Sequence, residues 1–157
     1  DSEVDTLGSY GTQGVGVGSN WPGSRSQSAL WCDDTAAPDG LVLFGGFGFG
    51  ASGVAGELSD LWLYQGGVWT HTGGSTSTGS TAQYAVQFSV DAGNWPGARH
   101  GATSWSDAEG GMWLLGGSGY GSDVAGGSLN DLWTFSTSGW SWVGGVEITD
   151  AYGEYRH

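Results

Sequence analysis

Residues whose types could perform catalysis are few and scattered in this sequence. The three histidines, His71, His100 and His157, lack the His-x-His or His-Glu-x-x-His spacing that would place two ring nitrogens on one zinc ion. No Gly-x-Ser-x-Gly segment follows a predicted strand, so a serine nucleophile is not indicated. The glycine-rich run 45–50 is not followed by a phosphate-binding lysine. We therefore expect a non-catalytic protein.

The arginines and aspartates follow a more regular pattern. The sequence contains three arginines and no lysine. Arg25 and Arg99 follow the same Pro-Gly dipeptide, and Asp60 and Asp131 precede the same Leu-Trp dipeptide. A guanidinium carries a planar fork of donors that matches a carboxylate. The sequence predicts a structural Arg–Asp pair that fastens the first strand of a unit to its third, with a ligand-binding arginine as the alternative.

Carboxylates cluster at one further position. Asp33, Asp34 and Asp39 lie between two predicted strands, and Asp107 and Glu109 lie at the corresponding position later in the chain. Calcium takes oxygen ligands at flexible spacing, but the regular Asp-x-Asp-x-Asp-Gly loop is missing. We expect a solvated acidic loop and no cofactor, with calcium at Asp33, Asp34 and Asp39 as the weaker alternative.

The charge balance excludes several classes of partner. Sixteen acidic residues against three arginines give a formal net charge of −13. Such a surface repels phosphate backbones and anionic lipid, so nucleic-acid binding and membrane association are not expected. No apolar run approaches the 18 or so residues of a membrane-spanning helix. The first residues, 1–3, include no initiator methionine, which fits a secreted, processed protein or part of a longer chain, and we expect an extracellular location.

A repeat underlies these patterns. The segment Asn-Trp-Pro-Gly-Ser-Arg at 20–25 returns as Asn-Trp-Pro-Gly-Ala-Arg at 94–99, an offset of 74 residues. Later motifs return at an offset of 71, which places a three-residue length difference between the first two strands of each copy. The motifs at 71 are Leu-Phe-Gly-Gly at 43–46, Leu-Ser-Asp-Leu-Trp at 58–62, the tryptophan at 69 and Gly-Gly at 73–74.

Period-two alternation and frequent glycine predict an all-β chain of two units with four short strands each. The predicted strands are 24–31, 40–44, 61–64 and 67–71 in the first unit and 98–105, 111–115, 132–136 and 139–143 in the second. The glycine-rich segments 47–59 and 118–130 are predicted as loops. The organisation is a linker or strand at 1–23, unit 1 at 24–74, a linker at 75–97, unit 2 at 98–145 and a tail at 146–157.

The combined motifs resemble kelch-type repeats of galactose oxidase-like β-propellers. The resemblance implies that each unit is a four-stranded antiparallel propeller blade. It also implies roles in scaffolding, protein binding or carbohydrate recognition, and catalysis in a minority of members. A closed propeller needs about four to eight blades, so two units imply an incomplete propeller or an open repeat array. Repeat units bury their apolar faces against neighbours, and open faces therefore invite further units.

Three functions follow as expectations. The first is an extracellular structural module that assembles with other blades or copies of itself into a fibre. The second is a carbohydrate-binding or adhesive module, and the third is a fragment of a galactose oxidase-like enzyme. The candidate binding or interface aromatics are Trp21 and Trp95, which precede proline, and Tyr10 and Tyr84, which recur at 74 residues.

Overall fold

The computed structural model describes residues 5–33 and 40–153 of the chain, without the side chain of Asp33. All regular secondary structure within these ranges is β-structure, so the predicted all-β class is confirmed. The strands form two antiparallel sheets of five strands each, neither of which closes into a barrel. No helix in the described part of the chain could span a membrane.

The first sheet belongs to unit 1 and the second to unit 2. Unit 1 contains β1 (Arg25–Ser26), β2 (Ala29–Asp33), β3 (Gly40–Phe49), β4 (Ala55–Gln65) and β5 (Val68–Gly73). Unit 2 contains β6 (Arg99–His100), β7 (Thr103–Ser106), β8 (Met112–Tyr120), β9 (Gly126–Ser136) and β10 (Gly139–Gly144). The third strand of each unit, β3 or β8, is central in its sheet, because it pairs with both short strands and with the long strand that follows.

The first predicted strand of each unit is divided in the structure, so each sheet has five strands where the sequence predicted four. In unit 1 the division falls at Gln27, whose φ of 56° is left-handed, and in unit 2 it falls beside Gly101, with φ 65°. Opposite the division, the register of β3 shifts between Phe44 and Gly46. A bulge of this kind bends both strands and interrupts regular pairing.

The predicted loops 47–59 and 118–130 are largely strand, which corrects the sequence-based boundaries. Gly45 and Gly46 have φ values of 62° and 103°, and Gly116 and Gly117 have 62° and 98°. The sequence predicts that the second strand of each unit ends just before these glycines, at 44 and at 115. Instead, they form the bulge, after which β3 and β8 continue for several residues and pair with β4 and β9.

The main core lies between the two sheets. It contains buried side chains of unit 1 (Ala29, Trp31, Val42, Phe44 and Leu61) and of unit 2 (Met112, Leu114, Trp133 and Trp140). The linkers add isolated bridges to this arrangement, Ser9 with Trp21 and Gln83 with Trp95 in matching positions. The two units therefore form one packed body.

Candidate unit-to-unit interface

Arg99 and Asp131, the Arg–Asp pair of unit 2, are both buried. Arg99 Nη1 donates to Asp131 Oδ1 at 2.6 Å, and Nη2 donates to Oδ2 at 2.8 Å. Two further guanidinium hydrogens reach backbone oxygens, since Nε donates to Gly97 at 3.0 Å and Nη1 to Gly116 at 3.1 Å. The pair thus connects the two-residue strand β6 to the bulge of β8 and to β9.

Two further donors complete the shell of Asp131. The Tyr84 hydroxyl and the Trp133 indole nitrogen each donate to Oδ2 at 2.7 Å. Unit 1 repeats the arrangement with equal distances, in which Asp60 accepts from Arg25, Tyr10 and Trp62. Each unit, together with the segment that precedes it, therefore forms one Arg–Asp–Tyr–Trp quartet. The structure brings the candidate residues Arg25, Asp60, Arg99 and Asp131 together as the two structural pairs that the repeat predicts.

The candidate binding or interface aromatics Tyr10 and Tyr84 lie in the quartets. Tyr10 is buried, and both hydroxyls point inward to the aspartates. The tyrosines recur at the same offset of 74 residues as the arginines, and this shared offset was the signal in the sequence that links the two pairs. The two tryptophans were recognisable as well, because Asp60 and Trp62 lie two apart and share one face of a strand.

The electrostatics of the quartet keep it in one protonation state. Burial alone would raise the pKa of Asp131, but hydrogen bonds and charge attraction from Arg99 outweigh it and leave that pKa below its usual value. Burial, together with the negative charge of Asp131, raises the pKa of Tyr84 well above the ordinary tyrosine range. The tyrosine stays a donor and the aspartate an acceptor, which suits a structural link better than proton transfer.

Aromatic side chains join the two units, and each unit contributes a different face to the contact. The Trp31 indole nitrogen of unit 1 donates to the backbone oxygens of Trp105 and Trp113 at 3.1 Å each. The ring of Phe44 packs edge-on against Trp140 of unit 2, with centroids 5.1 Å apart. We call the side of a unit that faces the next unit its forward face and the opposite side its rear face. The forward face of unit 1 thus covers the rear face of unit 2.

Trp95 contacts unit 1 in two ways across this boundary. Its indole nitrogen donates to the Ser59 backbone oxygen of unit 1 at 3.0 Å. Its ring lies so close to Gly73 that a Cβ there would be 2.5 Å from Trp95 Cη2. Trp21 holds the same repeat position but is 44% exposed, because it lies on the rear face of unit 1. The candidate pair is therefore divided into one interface residue and one open residue.

The forward face of unit 2 is open as well. Trp31 is 2% exposed and Phe44 1% exposed, whereas their equivalents, Trp105 and Leu115, are 39% and 40% exposed. Trp105 stacks on Trp113 with ring planes 6° apart and centroids 5.8 Å apart. The chain therefore presents two open apolar faces, of which one matches the covered face of unit 1 and the other that of unit 2.

A cleft also remains between the two units. Its volume is about 630 Å³, and its lining combines apolar side chains such as Leu63 and Phe135 with the carboxyl groups of Asp107 and Glu109. Asp107 accepts from the Trp113 indole and from the Gly111 amide at 2.7 Å each. These hydrogen bonds lower the pKa of Asp107, so its charge fixes the β7–β8 turn.

The weaker calcium prediction at Asp33, Asp34 and Asp39 falls outside the described structure. Asp34 and Asp39 lie outside the described residues, and so does the side chain of Asp33. No group of three or more potential metal ligands occurs within 5–33 and 40–153.

The histidines are dispersed in the described structure. His71 is buried against Tyr10 and Trp62, with centroid distances of 4.9 and 5.3 Å. His100 lies near Glu57, 3.7 Å from its carboxylate oxygen. His157 is outside the described residues.

The comparisons with known proteins assign no family. No family model matches this sequence. A search of curated proteins finds no match either.

Proposed function

We propose that this protein is a non-catalytic, extracellular interaction module of kelch-like units, which binds further units of the same kind and stacks into a fibre. The observation that carries the proposal is the pair of open faces. The forward face of unit 2 exposes Trp105 and Leu115 at positions that are almost completely covered in unit 1. Exposed apolar patches on a strongly charged protein are typical of interaction surfaces.

The quartets support an architectural role. Each buries an arginine and an aspartate with hydrogen bonds to a tyrosine and a tryptophan, so the polar side chains with the most distinctive chemistry already have partners inside the unit. Terminal units of repeat arrays need a polar outer face to remain solitary. An aromatic outer face instead favours addition of another unit.

Self-binding of the purified chain tests this proposal. The immobilised protein is exposed to fluorescently labelled protein over a range of concentrations, with a reductant present because Cys32 is exposed and could form an intermolecular disulfide. We expect saturable binding that unlabelled chain competes away. Absence of self-binding at every concentration would contradict the proposal. The extracellular location is tested separately, by finding the protein in cell-free culture medium.

Carbohydrate binding is a second candidate, which the Trp105–Trp113 stack favours. The two rings are stacked in parallel, and Trp105 is 39% exposed. Aromatic planes pack well against the apolar faces of sugar rings. A glycan array separates the two candidates, because saturable glycan binding that is lost in Trp105→Ala, together with no self-binding, would favour the second.

A further inference from the structure

We infer that Trp21 of one copy binds against Gly144 of a second copy, in a head-to-tail contact that repeats the boundary between units 1 and 2. This inference rests on the proposed function and specifies its contact. The partner is another molecule of this chain, whose rear face of unit 1 packs on the forward face of unit 2.

The internal boundary provides the template for this contact. Trp95 occupies the space above Gly73, where any side chain would collide with the indole ring. Its nitrogen also binds the backbone oxygen of Ser59. Gly73 and the carbonyl of Ser59 together therefore form a socket for the tryptophan that precedes the next unit.

Unit 2 carries the same socket, and no residue of the described ranges occupies it. Gly144 is the equivalent of Gly73 at an offset of 71, and a Cβ placed there would meet nothing within 4 Å. Asn130 is the equivalent of Ser59. Its carbonyl oxygen lies close to the Cβ position of Gly145, at 2.3 Å, as the carbonyl of Ser59 lies close to that of Gly74, at 2.1 Å. The backbone of the socket is thus preserved in the second unit.

The tryptophan that fits this socket is Trp21, on the rear face of unit 1, and we call it the plug. Trp21 and Trp95 share the Asn-Trp-Pro-Gly sequence and the same backbone bridge, to Ser9 and Gln83 respectively. The backbone thus holds the two residues at equivalent positions relative to their units. The indole nitrogen of Trp21 donates to the Leu7 backbone oxygen at 3.1 Å, and the proposed contact exchanges this hydrogen bond for one to the socket. Trp21 remains 44% exposed, since no unit precedes it within the described residues.

The side chains around the plug and around the socket are equivalents of those that pack together at the internal boundary. Around the socket, Trp105 and Leu115 correspond to Trp31 and Phe44, which are buried at the internal boundary. Around the plug, the half-buried Leu43 and Trp69 correspond to Leu114 and Trp140, which are 0% and 1% exposed. The second contact would therefore bury the same repeat positions as the first.

Such a contact joins two different faces, so its assembly does not stop at a symmetric dimer. Each added copy leaves one plug and one socket open, which is the property of a heterologous interface. Charge opposes the addition, because every copy carries a formal net charge of −13. Salt at about 0.15 M shortens the screening length to about 8 Å and weakens this repulsion.

Two variants that damage opposite faces test the inference. Trp21→Ala removes the plug, and Gly144→Leu fills the socket in a part of the chain with room for the side chain. Each variant alone should show a dissociation constant raised about 30-fold or more, as expected for a central interface residue that contributes about 2 kcal/mol. An equimolar mixture keeps one intact plug and one intact socket, so it should form dimers and stop there.

Sedimentation velocity of wild type, the two variants and their mixture gives the readout, with tryptophan fluorescence and urea unfolding as controls for folding. Leu115→Lys, on the socket face, is an independent second variant that should behave like Gly144→Leu in the same mixing experiment. If wild type associates while both single variants associate equally well, or if the mixture stays monomeric, the inference is overturned and the proposed self-binding stands. If wild type itself remains monomeric, the inference and the proposed function both fail.

Discussion

Arg99 Nη1 and Asp131 Oδ1 lie 2.6 Å apart in a site where the two side chains are 1% and 0% exposed. The ion pair joins β6, which has only two residues, to the long strand β9. Only two register pairs hold β6 to β8, so backbone pairing alone gives it little support. The guanidinium thus fixes the start of unit 2 in place.

Arg99→Ala should lower the free energy of unfolding by about 3–5 kcal/mol, because it leaves Asp131 as a buried charge without its partner. Urea unfolding followed by tryptophan fluorescence measures this loss. Arg99→Lys keeps the charge but cannot make the two-pronged contact, and we expect an intermediate loss. A change within about 0.5 kcal/mol for Arg99→Ala, the range of ordinary surface substitutions, would show that the pair contributes little.

The hydroxyl of Tyr84 is expected to contribute measurably to stability. Tyr84→Phe removes its 2.7 Å hydrogen bond to Asp131 and should cost about 1.5–3 kcal/mol, the range for hydrogen bonds to charged groups. Tyr120→Phe is the matched control, since the Tyr120 hydroxyl makes no hydrogen bond within the described residues. Equal unfolding midpoints for the two variants would contradict the role assigned to the quartet.

Gly45 should tolerate alanine much less well than Gly66. The two residues have similar left-handed φ values, 62° and 59°. A Cβ at Gly45 would lie 2.8 Å from the Arg99 backbone oxygen of unit 2 and 2.8 Å from the Leu58 backbone oxygen of unit 1, whereas a Cβ at Gly66 would meet nothing within 4 Å. Gly66→Ala therefore reports the backbone strain alone, and the additional loss in Gly45→Ala reports the two close approaches together. Thermal unfolding of both variants measures the difference, and equal losses would count against this packing around Gly45.

Lowering the pH should reduce the stability of the folded protein, because His71 takes up a proton more readily in the unfolded chain. This side chain is 4% exposed, and burial lowers its pKa below the ordinary value of about 6.5. The unfolded chain then binds a proton more readily than the folded chain. The corresponding stability is complete above about pH 6.5 and is lost as the pH falls through the lower folded pKa.

His71→Gln removes this titration and should flatten the dependence of the unfolding midpoint on pH in that window. Parallel pH profiles of wild type and variant provide the comparison. Two parallel curves would show that His71 does not couple protonation to folding.

The repeat made much of this structure predictable from the sequence. The all-β class, the pairing of Arg25 with Asp60 and the equivalence of the two units all follow from residues that recur at fixed offsets. The strand ends did not follow, because Gly45 and Gly46 could equally end a strand or form a bulge within it. The sequence also could not distinguish Trp21 from Trp95, since what differs between them is the presence of a preceding unit.

The mass of the protein in solution as a function of its concentration tests the central claim most directly. Sedimentation velocity at near-physiological salt, with Cys32 kept reduced, should give an average mass that rises from 16.1 kDa and passes twice that value as concentration increases. Lower salt should reduce the association, because the screening length grows to about 30 Å at about 0.01 M and the copies repel each other. A single species of 16.1 kDa at every concentration and salt level would contradict the account.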